Sequence, residues 1–200
     1  LFKAKSLTSI LEKMTETKFR FGLTGTLDGT QTHKLVLEGL FGPVKKVTTT
    51  KELIDKKQLA EFQIKSLALS YSDEERQAVV KMTYQQEMDF IVRHEKRNRF
   101  IRNLTISQKG NTLLLFQYVE KHGRTLFNDI SNRVDENRKV FFVHGGTDAS
   151  DREEIRRITE ESENAIIVAS FGTFSTGVNI KNLHNVIFAS PSKSKIRNLQ

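Results

Sequence analysis

The stretch Ser170-Phe-Gly-Thr-Phe-Ser-Thr-Gly-Val-Asn179 gathers the residue types best suited to holding phosphate. The hydroxyls of Ser170, Thr173, Ser175 and Thr176 can hydrogen-bond phosphate oxygens, and Gly172 and Gly177 let the backbone approach a ligand closely. A helical turn starting near Ser175 would add free N–H groups, which favour an anion. The same composition also suits a connection that merely turns the chain, and the loop alone does not separate the two readings.

Two apolar runs bracket this loop. Ala165–Ala169 and Asn185–Ala189 are short and continuously hydrophobic, the pattern of strands covered on both faces of a parallel sheet. Upstream, Asn111–Phe116 and Lys139–Val143 repeat the pattern. A helix carrying Val119, Leu126, Phe127 and Ile130 separates those two, and a helix capped by Ser150, with Glu153 at the capping-box position, follows the second. Strands alternating with helices predict an α/β fold with a parallel sheet built by right-handed crossovers. Ligands of such sheets sit at the carboxyl ends of the strands. There lie the Ser170–Asn179 loop, Phe116-Gln-Tyr118 and His144-Gly145.

Several chemistries are excluded. The chain has no cysteine, so thiolates, disulfides and Cys-based zinc sites are out, and its five histidines lack ligand spacing, so no metal is expected. No Gly-x-x-x-x-Gly-Lys-Ser/Thr occurs, so there is no Walker A loop to cradle nucleotide phosphates. No run of apolar residues is long enough for a membrane span. Thirty-two basic against twenty-four acidic residues give +8, a balance that favours an acidic partner, most simply a nucleic-acid backbone.

The first part of the chain reads as follows. Leu7, Ile10, Leu11 and Met14 share one helix face, and Phe19–Thr26 is a short strand entering a Thr24-Gly25-Thr26 turn. A helix over His33–Phe41 stops at Gly42-Pro43, and Lys45–Leu59 is a polar, lysine-rich connection. Phe62–Leu69 partly alternates, as an edge strand does. Ser72 with Glu75 forms a capping box opening a long helix from about Glu74 to Val92, with Ala78, Met82, Met88 and Ile91 as core candidates. Arg93–Arg99 is the densest basic stretch; it is either a solvated helix face or a stripe that tracks phosphates. In the helix that follows, Phe100, Ile101 and Leu104 face one side, and Arg99 and Arg102 lie opposite.

The loop at Ser170–Asn179 resembles motif V of the superfamily-two (DExH-type) helicases, in which a strand leads through a Ser/Thr loop into Thr-Gly-x-Asp/Asn. Thr24-Gly25-Thr26 resembles motif III, Phe116-Gln-Tyr118 motif IV, and His144-Gly145 the His/Gly turn after it. Gln200 stands where motif VI begins with Gln-x-x-Gly-Arg, and Lys193-Ser-Lys-Ile196 resembles the lead into motif VI of a phage type of DNA helicase. Asn179 replaces the commoner acid of motif V, keeping a hydrogen bond to ribose but bringing no charge. The resemblance covers the whole chain and is most specific over Ile166–Gln200.

The resemblance implies a RecA-like second helicase domain at 62–200, truncated at motif VI. A linker at 44–61 and the end of a first RecA-like domain at 1–43 would precede it, so the chain reads as an internal slice beginning after the DExH box. Motif III would couple the two sites through Thr24, Gly25 and Thr26. Gly177, Asn179 and Gln200 would face nucleotide, and Phe116, His144, Gly145, Ser170, Phe171 and Thr173 nucleic acid. ATP and Mg2+ are implied as cofactors of the full-length enzyme, with none held tightly by this piece, which is predicted inactive alone. The implied partner is single-stranded or branched DNA, with RNA open, and the implied location is cytoplasmic, in the host if phage-encoded. Residues 1–43 are expected to be loosely ordered or to pair with a second copy, because an unpaired strand edge invites association. Three functions fit: an ATP-dependent DNA helicase that unwinds, anneals or migrates branches; a duplex translocase of a restriction or repair complex; or a non-catalytic nucleic-acid-binding module.

Overall fold

The computed structural model describes residues 5–24, 31–174 and 180–191. The chain divides into two compact units, Leu1–Leu67 and Ala68–Gln200.

The second unit is built on four parallel strands, β1 Thr112–Phe116, β2 Val140–Val143, β3 Ile166–Ser170 and β4 Asn185–Phe188, in the order β2-β3-β1-β4. The continuous apolar runs are explained by two cores, one on each face. Leu114 and Phe116 of β1 and Ile166 and Val168 of β3 pack with Ile101 of helix α6 (Glu95–Ser107) and with Leu126 and Ile130 of α7 (Arg124–Ser131). The alternate residues, Leu113, Leu115, Ile167 and Ala169, pack on the other face with Ile155 of α8 (Ala149–Glu161) and with Leu183. Every residue of β1 and β3 is therefore buried, whereas β4, at the edge, leaves Val186 and Phe188 half exposed.

Between β1 and α7 the chain makes a π-helical turn, Val119–Gly123. Gly123 is required by close approach, because a Cβ there would stand 2.5 Å from the Phe116 ring. At the opposite end of β1, Asn111 ties the sheet together. Its side-chain amide donates to the carbonyls of Thr159, Ser162 and Asn182, and its oxygen accepts from Ala165 N at 2.7 Å.

Several expectations are corrected. The helix from Glu74 to Val92 is two helices, α4 Asp73–Val79 and α5 Tyr84–Arg93. Thr83 caps the second in a capping box with Gln86, so Ala78 is exposed while Met88 and Val92 reach the core. The cap of α8 lies at Asp148 instead of Ser150 and makes no side-chain bond. Arg102 is not on a solvated face: it is buried, with Nη1 3.4 Å from Asp129 Oδ2.

The first unit contains α1 Lys5–Lys13, α2 Gln31–Phe41 and α3 Thr50–Asp55. Helix α2 ends at Gly42, whose φ of 85° needs glycine. Helix α3 lies inside the lysine-rich stretch read as a plain connection, and a reciprocal Thr49–Glu52 capping box starts it. Neither expected strand forms. Residues 19–24 are not a strand, and Phe21 is 87% exposed; residues 62–69 form no helix or strand, and Ile64 is 84% exposed. A strand holds only where a neighbouring strand completes its hydrogen bonds, and among the described residues none does so at either segment.

Candidate functional site at the carboxyl edge of the sheet

The register brings three strand ends side by side. Phe116 of β1 is level with Ser170 of β3, and Val143 of β2 is level with Ala169, so His144 follows beside Ser170. Ser170 and Thr173 are both 8% exposed, and their hydroxyls bond each other at 2.7 Å across the start of the short helix α9, Phe171–Phe174. That bond draws the two hydroxyls into one turn, leaving the pair one hydroxyl proton to donate outward. Phe171 is buried, with its ring stacked 5.9 Å from Phe188.

Phe116 requires a correction. Its side chain is fully buried and stacked on Phe142 at 5.6 Å, so it is a core residue that presents no atom to a ligand. His144 is half-buried and shapes a turn: its Nδ1 accepts from Gly146 N at 3.0 Å, and its backbone N donates to Thr147 Oγ1. Gly145 is exposed, with open space where a Cβ would stand. Thr24 is exposed in the first unit. Gly25, Thr26, Gly177, Asn179 and Gln200, with Ser175 and Thr176, lie outside the described residues. No metal-binding group of acids or histidines occurs among the described residues.

A buried polar chain crosses the same edge. Gln117 N donates to Ser190 Oγ at 3.0 Å, Ser190 Oγ lies 3.0 Å from His122 Nδ1, and His122 Nε2 lies 3.1 Å from Asn98 Oδ1. Asn98 donates its own amide to the Val92 carbonyl, which turns its oxygen toward the imidazole. The imidazole must therefore donate from Nε2 and accept the Ser190 proton at Nδ1, a neutral ring with one tautomer. Burial, reinforced by the nearby Arg97 cation, pushes His122 down to about 4. Arg97 is half-buried and donates to the Ala189 carbonyl at 2.5 Å; burial lowers its pKa too.

Residues 95–200 match the family described as the helicase conserved C-terminal domain. The chain belongs to that helicase family. It is also 38% identical over 203 residues to the ATP-dependent DNA helicase uvsW of Enterobacteria phage T4, covering 100% of this chain and 40% of the relative. The chain thus spans 40% of the length of that curated relative. The crystal structure of T4 UvsW is similar at a TM-score of 0.56 and 38% identity, over 65% of this chain and 26% of that one. The four-stranded parallel sheet with its flanking helices is the RecA-like C-terminal domain of a helicase.

In this helicase domain, Ser170, Phe171, Thr173, His144 and Gly145 come together at adjoining strand ends. The Asn98–His122–Ser190 chain escapes sequence reasoning, since its members stand 24 and 68 positions apart and none belongs to a spaced motif. Arg97 was legible only as one cation of the basic stretch Arg93–Arg99.

Proposed function

We propose that this chain is the second RecA-like domain, with the adjoining linker and the end of a first domain, of an ATP-dependent superfamily-two DNA helicase. In the full-length protein it couples ATP hydrolysis, with Mg2+, to unwinding, annealing or branch migration of DNA. Ser170 and Thr173 face nucleic-acid phosphates, while Gly177, Asn179 and Gln200 face nucleotide. One loop, the ten residues from Ser170 to Asn179, then joins the two sites. The supporting observation is the paired hydroxyls of Ser170 and Thr173 at the carboxyl end of β3, between the ends of β1 and β2. The sheet's C-terminal edge is where an open α/β fold presents ligands, and charge-assisted hydrogen bonds to phosphate suit hydroxyl donors.

The role of the chain is coupling, because a ligand shifts a conformational equilibrium only by binding one state more tightly than the other. DNA held by the loop favours the domain arrangement that completes the nucleotide site. The chain itself has no Walker A loop and no DExH box, so it is expected to release no phosphate from ATP when assayed alone. The test of the reading is strand displacement by the full-length protein on a forked duplex with ATP. Displacement that requires ATP supports it. ATP-driven movement along duplex DNA without strand separation would replace it with a translocase, and DNA binding that ignores ATP would reduce it to a binding module.

A further inference from the structure

A polar groove of about 770 Å³ lies between α6 and α7, beside the π-helical turn. Arg93, Arg99, Arg102, Lys121 and Arg133 bring positive charge to it, and Glu95, Glu120 and Asp129 bring negative charge. Much of this is already neutralised: Arg102 pairs with Asp129, Glu120 with Arg124 and Lys121 with Asp89. Among the described residues, Arg93, Arg99 and Arg133 make no ion pair within 4 Å, although Arg93 lies near enough to Asp89 to help lower its pKa, and all three are exposed. Against them stands one unpaired acid, Glu95, at the start of α6.

The spacing lays these groups along two walls. Glu95, Arg99 and Arg102 recur at four and then three residues on α6, which places them on one helix face. Thr125 and Asp129 on α7, and Arg133 just beyond it, follow at intervals of four on the other wall. At 1.5 Å per residue that wall runs about 12 Å, the axial length of roughly three to four nucleotides of a duplex strand. The unpaired cations stand on both walls, Arg93 at the end of α5 and Arg99 on α6 facing Arg133 beyond α7, so a groove of this length offers several phosphates a cation where a single small anion would meet only one. The three unpaired cations are all arginines, whose planar forks engage two phosphate oxygens at once, and the exposed Thr125 hydroxyl adds a donor.

We propose that this groove is a second contact for a nucleic-acid phosphate backbone, set on the helical layer of the domain and separate from the Ser170–Thr173 turn. It holds a strand through Arg93, Arg99 and Arg133, reads no bases and needs no nucleotide. It goes beyond the helicase reading and does not depend on ATP turnover.

The test uses the 200-residue chain and labelled single-stranded and duplex oligonucleotides, with affinity followed across a salt series. The triple change Arg93→Gln, Arg99→Gln and Arg133→Gln is compared with Lys45→Gln, Lys51→Gln and Lys56→Gln, which removes the same charge from exposed lysines of the first unit. Three lost phosphate contacts should flatten the log-affinity against log-salt slope by about 2 for single strands and nearly 3 for duplex. The lysine control should flatten it by less than half as much. Equal flattening by both variants, no flattening by the arginine variant, or no binding by the parent chain at low salt would each overturn the proposal. Polyglutamate is the remaining arm: if it binds and the arginine variant releases it while the DNA slope stays put, the groove takes an acidic protein segment and the proposal fails. Loss of ATP-dependent unwinding in the full-length protein, with the slope change intact, would instead overturn the helicase reading alone.

Discussion

His122 Nδ1 lies 3.0 Å from Ser190 Oγ, inside the protein, joining the turn after β1 to the end of β4. The imidazole is fully buried and already supplied with one donor and one acceptor in its neutral form. A second proton would place N–H against the Ser190 hydroxyl hydrogen and a charge in the core.

Stability should therefore depend on pH through this ring. Its pKa falls from 6.5 to about 4 on folding. Between those values the unfolded chain binds a proton that the folded one does not, so stability is full above pH 6.5 and falls as the pH drops toward 4. The loss should be about 3 kcal/mol across that window. Denaturant midpoints measured from pH 7 to 4 check it, and His122→Gln should flatten the curve there. Glu75 acts in a lower window. Held down to about 2, first by the Ser72 backbone N–H and then by His94, it should cost further stability as the pH falls below 4.5.

Asn111→Ala removes a side chain whose amide and oxygen join the start of β1 to Thr159, Ser162, Asn182 and Ala165. At roughly 1 kcal/mol per bond and more for groups left buried and unpaired, the loss should be about 3 kcal/mol or greater. Asn111→Asp should be worse near neutral pH, since it turns a carboxylate toward three carbonyl oxygens. Urea unfolding of the two variants at neutral and acidic pH separates these effects.

Gly123→Ala should destabilise, although alanine favours an exposed helix by up to about 1 kcal/mol. The new methyl would meet the Phe116 ring at 2.5 Å, and overpacking of this kind costs roughly 1–3 kcal/mol. Phe116→Leu in the same chain should recover part of the loss, which a double-mutant cycle in denaturant would read as coupling.

Much of the second unit was legible because its two central strands are buried on both faces, which forces the continuous runs Asn111–Phe116 and Ala165–Ala169. Their order in the sheet was not, since nothing local fixes which strand lies beside which. The strand readings failed at residues 19–24 and, despite partial alternation, at 62–69, because among the described residues no neighbouring strand pairs with either. The break before α5 was readable in Thr83-x-x-Gln86, yet the apolar residues on either side of it suggested one helix. At the sheet edge, position and orientation parted company. Phe116 does stand at a carboxyl end, but the strand's two-residue period turns its ring into the core beside Leu114.

The claim that the β3 turn couples nucleic acid to nucleotide rests on Thr173, whose hydroxyl is bonded to that of Ser170. The most direct measurement is ATP hydrolysis by the full-length protein against DNA concentration, for the parent, Thr173→Ala and Thr173→Ser. Thr173→Ala removes both the Ser170 bond and a phosphate contact worth on the order of 1–3 kcal/mol. The account predicts that stimulation by DNA weakens, with the DNA concentration for half-stimulation raised on the order of tenfold, while the rate without DNA is nearly kept and Thr173→Ser restores the response. A Thr173→Ala protein with the parent's half-stimulation and maximal rate would contradict it.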